Sequence, residues 1–308
     1  MSVNLLTSSK WLKWHMGALT QQQQDFFWQN GYLVVPDAVS DGALVELRQT
    51  FQNWVEESRG HSENWGETLN GKPRYDIEPG HCADSPRLRR VNAPVEVSKA
   101  YFNAMSDSEM TDFVAALIGP DVKLHHTKIN SKQPGAETVV KWHQDFPFTP
   151  HSNDSVVTAL LMVDEVTETN GPLEVLPGSH TGPIHGLWHN GKFTGAIDDV
   201  IAATCASKAA TCTGPAGAVC LMHTRLLHGS RDNQSAFPRT LFISVYSADD
   251  AVPLSPNPMP NRYEGLVVRG YRKGRVRSID YAVDLPQLPD TASFFDQQAE
   301  HRDDAKIL

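Results

Sequence analysis

Apolar residues repeat at helical spacing in the first part of the chain. Leu44, Leu47 and Phe51 recur on one face of a predicted helix, as expected of a helix that packs against a core. The predicted early elements are a helix over 21–29 capped by Thr20, a strand over 32–35, a helix that opens at Ser40 or Asp41 and carries Leu44 to Val55, and a helix over 106–118 led by Ser106 and Asp107.

Beyond residue 120 the spacing changes to that of strands. Short runs rich in β-branched and aromatic residues alternate with clusters of Pro, Gly, Asn and Asp, a pattern typical of a sandwich or jelly roll. The predicted strands cover 122–130, 139–146, 156–163, 173–175, 218–221 and 240–246.

Three stretches lack either period. Residues 58–95 form a predicted long loop, and loops of that length in a compact domain often serve as lids or binding loops. Residues 182–215 form a predicted insertion, and residues 251–308 a predicted tail that wraps the outside.

No linker divides the chain, so we expect a single domain over residues 1–308. Residues 18–120 would supply helical support and a lid loop, and residues 121–250 the jelly-roll core. The predicted fold class is mainly β with flanking helices.

Composition narrows the class of partner. The formal charge of −9 offers no basic surface for nucleic acid or for an acidic membrane, so we expect a small-molecule partner. The 4 cysteines lack Cys-X-X-Cys spacing, which favours a reducing compartment. With no secretory leader and no apolar run of membrane-spanning length, we expect a cytoplasmic protein. The oligomeric state stays open.

One short motif carries the chemistry. In a strand, residues two apart share a face, so His143 and Asp145 can direct an imidazole and a carboxylate at one point. If His228 closes the set, the ligands are two histidines and one carboxylate, which with open positions is typical of a non-haem Fe(II) oxygenase.

Four motifs, in order, resemble one family over roughly residues 20–250. The chain is similar to the phytanoyl-CoA dioxygenase family of Fe(II)/2-oxoglutarate oxygenases. The motifs are Lys132-Gln133-Pro134, His143-Gln144-Asp145, the stretch from Asn170 to His180, and His228-Gly229-Ser230 followed by Asn233, Ser235 and Arg239.

The resemblance implies a double-stranded β-helix that binds Fe(II), 2-oxoglutarate and O₂. His143, Asp145 and His228 would bind the iron and leave positions for the chelating 2-oxo acid and for O₂. Arg239 would bind the distal carboxylate of 2-oxoglutarate, for which its planar guanidinium is suited. Ser230 and Lys128 would lie beside the same co-substrate.

Other histidines compete for the role given to His228. We expect His223 in the core and His180 in a packing role. His125 and His126 are adjacent in a predicted strand, so only one of them can face inward.

The substrate-facing residues are predicted mainly from strand alternation. Lys141 shares the face of His143, and Arg90 ends the long loop, so either can meet a substrate acid. For Lys132 we expect a solvated side chain. The residues expected to form an aromatic-rimmed mouth are Phe146, Phe148, His151 and Trp188.

The leading hypothesis is hydroxylation of an unactivated C–H bond in a small anionic or zwitterionic, amino-acid-like molecule, with decarboxylation of 2-oxoglutarate to succinate and CO₂. Asp145 favours hydroxylation over halogenation, since halogenating relatives lack that carboxylate. The alternatives are desaturation or ring formation at the same iron, the same cofactor chemistry on an organophosphonate or an acyl-CoA, a non-catalytic metal-binding jelly roll, and a Zn²⁺ hydrolase.

Overall fold

The helices of the first part of the chain are capped as the sequence predicts. The structure is a computed structural model that describes residues 18–136 and 138–288, together with Phe295 and Gln298. Thr20 Oγ1 accepts from the Gln23 amide at 3.2 Å, and Gly31 at φ 81° ends this helix. The helices are α1 Gln21–Asn30, α2 Asp41–Ser58, α3 Lys99–Ser106, α4 Glu109–Ile118 and α5 Asp199–Ser207.

Two details of the helical region differ from the sequence-based expectation. The helix predicted over 106–118 begins only at Glu109, and a separate helix, α3, precedes it. The helix is interrupted between them because the backbone of Asp107 is not helical, at φ −146° and ψ 72°. Helix α5 lies in the insertion, where its Ala, Thr and Cys residues give no clear apolar stripe.

The strands form two main antiparallel sheets and a small hairpin. The strands are β1 Tyr32–Val35, β2 Tyr75–Ile77, β3 Leu88–Asn92, β4 Val122–Lys132, β5 Val140–His143, β6 Val156–Met162, β7 Leu173–Val175, β8 Trp188–His189, β9 Lys192–Phe193, β10 Ala210–Cys212, β11 Val219–His223, β12 His228–Ser230, β13 Arg239–Ala248 and β14 Val267–Arg269. The large sheet runs in the order β1-β11-β6-β13-β4-β3-β2, with β14 also paired to β4. The small sheet runs β10-β7-β12-β5, and β8 pairs with β9.

Side-chain alternation on the large sheet builds two cores. On β6, Val157 and Leu161 face the helices, while Leu160 and Met162 face the small sheet. Both faces of this strand are buried, which explains why its sequence is an almost continuous run of apolar residues. The helices therefore support the outer face of the large sheet and leave the space between the sheets for a site. This arrangement is the jelly roll that the sequence predicted.

The long loop predicted over 58–95 contains strands β2 and β3. The sequence does not show the apolar alternation of a strand here, because charged residues are buried in these strands as ion pairs. Arg89 on β3 donates to Asp76 on β2 at 3.0 Å, and both side chains are largely inaccessible to water. Buried charges of this kind are stable only when paired, which composition alone does not reveal.

The segment after residue 250 is more than an outer wrapping. Strand β14 extends the large sheet beside β4, and most of the side chains between residues 271 and 288 are exposed. Phe295, however, is buried against the space between the two sheets. No helix in the described part of the chain combines the length and apolar character needed to cross a membrane.

Candidate metal centre

Three side chains converge between the sheets. His143 ends β5, His228 begins β12, and the two residues are directly paired across these antiparallel strands. Their Nε2 atoms lie 3.5 Å and 3.6 Å from Oδ1 of Asp145. The structure thus brings His143, Asp145 and His228 together, with one ligand atom from each within 4.8 Å of the others.

Asp145 reaches this point by a different route from the one expected. Strand β5 ends at His143, and Asp145 has helical backbone angles at the start of a 3₁₀ turn over Phe146–Phe148. The strand predicted to continue to residue 146 therefore ends at His143. His143 and Asp145 do point at one place, but Asp145 reaches it from a turn and not by strand alternation.

The backbone fixes which nitrogen of each histidine faces the centre. The Nδ1 atoms of His143 and His228 lie 2.7 Å and 2.9 Å from the carbonyls of Lys141 and Leu226. A carbonyl only accepts, so each Nδ1 donates its proton and each Nε2 is the nitrogen left to face the centre. Burial, and to a lesser extent the nearby His143, lowers the pKa of His228 to about 4. The His228 ring is therefore neutral near pH 7.

Thr158 completes the support of the carboxylate. Its Oγ1 donates to Oδ2 of Asp145 at 2.7 Å, which leaves Oδ1 directed at the two imidazoles. Burial alone would raise the pKa of Asp145, but His228 and His143 lower it well below the usual carboxyl range. Two imidazoles with Nε2 towards the centre and one carboxylate on the same side fit a divalent metal with open positions, and Fe(II) is the ion such a set typically holds in oxygenases.

The triad opens into a cavity between the two sheets. Its lining combines polar side chains with apolar ones, among them Leu160, Met222 and Ile243. The residues that line it are Lys128, Asn130, Ser131, Lys132, Thr138, Val140, His143, Asp145, Thr158, Leu160, Leu173, Met222, His228, Ser230, Arg239, Leu241, Ile243 and Phe295.

Arg239 lies at the far end of this cavity from Asp145 along strand β13. Its Nε donates to the carbonyl of Gly171 at 3.0 Å, and burial lowers its pKa to about 10, so it stays protonated. Ser230 lines the same end. The expectation of a solvated Lys132 is wrong: only 3% of this residue is exposed, and its Nζ donates to Ser230 Oγ at 2.8 Å.

Lys128 and Arg90 bring positive charge to the side of Asp145. Lys128 lines the cavity, and burial and the neighbouring Arg90 lower its pKa to about 8. Arg90 lies on β3 opposite Asn130 of β4, and its guanidinium carbon is 5.5 Å from the centre of the Phe295 ring. Arg90 is buried beside the cavity and is not one of its lining residues.

The predicted aromatic mouth is only partly assembled. Phe148 stands edge-on to His143, with ring centres 5.7 Å apart, and contacts Phe193 at 5.6 Å. Trp188 continues this row at 5.3 Å from Phe193 but faces a separate cavity beside His185. Trp188 therefore lies at the outer end of an aromatic row and not at the triad.

The other predicted substrate contacts lie outside the cavity lining. Phe146 is fully buried and packs on Tyr281 at 5.2 Å. The backbone amide of Lys141 donates to the side chain of Gln298, and the Lys141 side chain does not line the triad cavity. Strand alternation does not apply to Phe146, because the strand ends at His143.

The expectation that only one of His125 and His126 can face inward is wrong. A β-bulge interrupts the pairing of β4 with β13 between Val245 and Tyr246, so His125 is an extra residue in the ladder. Both rings are buried, with their Nδ1 atoms 2.7 Å apart. His151 packs on His125 with ring centres 5.0 Å apart, and its own Nε2 has no hydrogen-bond partner among the described residues.

The remaining histidines take the roles expected of them. His223 is buried on β11 against Phe27 and Trp28, and His180 packs beside it at 5.2 Å. Neither belongs to the triad. Sequence reasoning missed Thr158 and Phe295, and it placed Lys132 in solvent. For Thr158 the available signal was a hydroxyl within an otherwise apolar strand.

Known proteins match this chain over most of its length. A family model described as Phytanoyl-CoA dioxygenase (PhyH) matches residues 27–241. The probable alpha-ketoglutarate-dependent hypophosphite dioxygenase of Stutzerimonas stutzeri is 34% identical over 219 residues, which cover 69% of this chain and 75% of that protein. L-proline trans-4-hydroxylase of Streptomyces griseoviridis is 27% identical over 248 residues, covering 74% and 86%.

Solved structures show the same fold. EctD from S. alaskensis in its apoform is 22% identical, with a TM-score of 0.64, and the match covers 85% of this chain and 88% of that one. The same protein with bound Fe is 23% identical, with a TM-score of 0.61. The expected cupin-like double-stranded β-helix is confirmed.

We predict that Thr158→Val weakens metal binding about 10- to 100-fold, because Asp145 loses the donor that orients it. Equilibrium dialysis against Fe(II) under anaerobic conditions, or against Co(II) in air, measures this change. Thr158→Ser keeps the hydroxyl and should bind metal nearly as the parent protein does. Parent-like affinity in the valine variant would contradict the role given to Thr158.

We predict that acid lowers the free energy of unfolding through the buried histidines. Burial lowers the pKa of His125 to about 3 and that of His151 to about 4, whereas an unfolded histidine titrates near 6.5. Stability from these neutral rings is therefore full above about pH 6.5 and falls as the pH drops towards 4. Urea unfolding at several pH values should give a shallower dependence for His151→Leu, by about 1.4 kcal/mol per pH unit at most. An unchanged slope would contradict this.

Proposed function

Because the chain belongs to the phytanoyl-CoA dioxygenase family, we propose that its triad cavity is the active site for hydroxylation of a small anionic or zwitterionic molecule. The chain is a 2-oxoglutarate-dependent non-haem iron dioxygenase. The observation that carries the assignment of the site is the convergence of His143, Asp145 and His228 at one end of a cavity that has Arg239 at its other end.

In this proposal His143, Asp145 and His228 hold Fe(II). When bound, the iron and its 2-oxo acid supply oxidative decarboxylation to succinate and CO₂, coupled to oxygen insertion into the substrate. The protein contributes the orientation of its ligands. The Lys141 and Leu226 carbonyls fix the imidazoles, and Thr158 fixes the carboxylate.

Arg239 and Ser230 would bind the distal carboxylate of 2-oxoglutarate. Arg239 is buried and retains its charge, so its guanidinium can form a charge-assisted pair that water does not screen. Lys128 lines the cavity close to Asp145, which suits the 2-oxo acid end of the same molecule. The apolar side chains of Leu160, Met222 and Ile243, which line the cavity, would help to exclude water from the reacting centre.

The charge beside Asp145 supports a substrate with an acidic group. Arg90 and Lys128 lie close together on neighbouring strands, where Asn92 pairs with Lys128 and Arg90 with Asn130. The relatives named for hypophosphite and L-proline, like that named ectoine dioxygenase, take their names from small polar molecules. The 34% identity to the hypophosphite dioxygenase favours a small phosphorus oxyanion or organophosphonate as the second candidate substrate.

We also propose that the reaction takes place in the cytoplasm with a small-molecule partner. The four cysteines, Cys82, Cys205, Cys212 and Cys220, are all free, which is in keeping with a reducing compartment.

The test of the proposed function is succinate formation over a substrate panel. The purified protein with Fe(II), ascorbate, O₂ and 2-oxoglutarate is offered free and acylated amino acids, ectoine, hypophosphite, short alkylphosphonates and an acyl-CoA. We expect a small acid or zwitterion to raise succinate release well above the uncoupled rate, with one oxidised product per succinate. Stimulation by the acyl-CoA alone would contradict the proposed substrate class.

Two variants should separate the binding of co-substrate from that of substrate. Arg239→Ala should raise the KM for 2-oxoglutarate about 10- to 100-fold, because a charge-assisted pair contributes about 1.5–3 kcal/mol. Arg90→Ala should instead raise the KM for the substrate and leave that for 2-oxoglutarate within about twofold. Steady-state kinetics with each compound varied in turn measures both, and equal effects of the two variants on both constants would refute this division.

A further inference from the structure

The C-terminal segment, defined here as residues 277–288 with Phe295 and Gln298, returns to the metal-binding motif from outside. It lies beyond the part of the chain that the family model matches, which ends at residue 241. Tyr281 in this segment packs on Phe146 with ring centres 5.2 Å apart. Phe146 belongs to the turn that brings the carboxylate ligand to the centre, so the segment packs directly against that turn.

Gln298 joins two further parts of the site. Its side chain is buried, its Oε1 accepts from the backbone amide of Lys141 at 3.0 Å, and its Nε2 donates to the carbonyl of Gly195 at 2.8 Å. The carbonyl of the same Lys141 accepts from Nδ1 of His143. A single amide side chain therefore links the strand that carries His143 to the insertion.

Phe295 lies in the wall of the cavity into which the triad opens. It is only 6% exposed, and it lines that cavity. The guanidinium carbons of Arg89 and Arg90 lie 5.1 Å and 5.5 Å from the centre of its ring. Cation–π contacts of this length are attractive, and they become stronger when water is excluded. These contacts hold the ring against β3, where it borders the cavity.

The Phe295 ring is the bulkiest apolar group in this wall. Among the described residues that line the cavity, it is the only Phe, Tyr or Trp. A buried site relaxes only partly when a large side chain is removed, so loss of the ring would leave additional space in the cavity. The C-terminal segment thus contributes one residue that sets how much room remains beside the triad.

We propose that Phe295 is a specificity-determining residue that limits the size of the molecule accepted beside the metal, and that Gln298 positions it. This inference rests on the proposed function, which places a substrate in this cavity. The ring offers an apolar surface to the short carbon skeleton of a small acid or zwitterion. A molecule with a long acyl chain or an aromatic substituent would collide with it.

The test uses two metal-directed compounds of different size, imidazole and 4-phenylimidazole. Co(II)-loaded protein saturated with 2-oxoglutarate retains one position for a nitrogen ligand, and the visible absorption of Co(II) reports binding without turnover. We expect the parent protein to bind imidazole at least about 10-fold more tightly than 4-phenylimidazole. Phe295→Ala should lower the Kd for 4-phenylimidazole about 10- to 100-fold, the range expected for burial of one phenyl group. The Kd for imidazole should stay within about twofold.

Three further variants complete the test. Tyr271→Ala is the matched control, because it removes an aromatic side chain that is 79% exposed and lies outside the cavity. It should leave both Kd values within about twofold. Phe295→Leu should lower the Kd for 4-phenylimidazole by a smaller factor than alanine does, and it decides the outcome if the alanine variant does not fold. Gln298→Met removes both hydrogen bonds and should lower the same Kd about 3- to 10-fold.

Three results would overturn the inference. One is a parent-like Kd for 4-phenylimidazole in the Phe295 variants, and another is a parent protein that binds the two compounds equally well. The third is a change of equal size for both compounds, which would indicate a general effect on the metal centre.

Failure of the proposed function gives a different result. If neither 2-oxoglutarate nor imidazole alters the Co(II) absorption of the parent protein, the metal offers no open position and both proposals fail together. If both compounds bind but the Phe295 variants keep the parent Kd for 4-phenylimidazole, the active site stands and only Phe295 is misassigned.

Discussion

The structure depends on one constraint, which is that two imidazole nitrogens and one carboxylate oxygen must meet at a point between two sheets. The cross-strand pairing of His143 with His228 satisfies most of this constraint, because the pairing places the two rings side by side with their centres 4.1 Å apart. The carboxylate arrives from the turn that follows. Its position depends on Thr158, which comes from the opposite sheet, so the centre exists only when both sheets are packed.

Charge is distributed unevenly along the cavity. Asp145 and the imidazoles occupy one end, with Lys128 close by, and the pair formed by Lys132 and Arg239 occupies the other. A cavity of this kind is costly to form without a ligand, because buried like charges repel each other. Burial and the neighbouring Arg239 lower the pKa of Lys132 well below its usual value.

The sequence predicted the fold well wherever burial follows a simple period. Strands β6 and β13 are apolar runs buried on both faces, and they were assigned almost to the residue. Prediction failed where charged residues are buried in pairs, as in Arg89 with Asp76, because a strand of that composition resembles a loop. It also failed at the β-bulge of His125, since one extra residue reverses the face of every residue beyond it.

The sequence alone determined the order of the motifs and the chemical identity of the groups at the site. His143 and Asp145 were singled out by residue type and spacing, because few side chains can bind a metal, whereas the roles expected of His228 and Arg239 came from the resemblance to the family. Tertiary structure alone decided where the long side chains end. Lys132 enters the cavity because Gly171 leaves room for its stem, and Trp188 faces another cavity because the insertion carries it outward. Such outcomes depend on contacts between residues far apart in the chain, which no local pattern encodes.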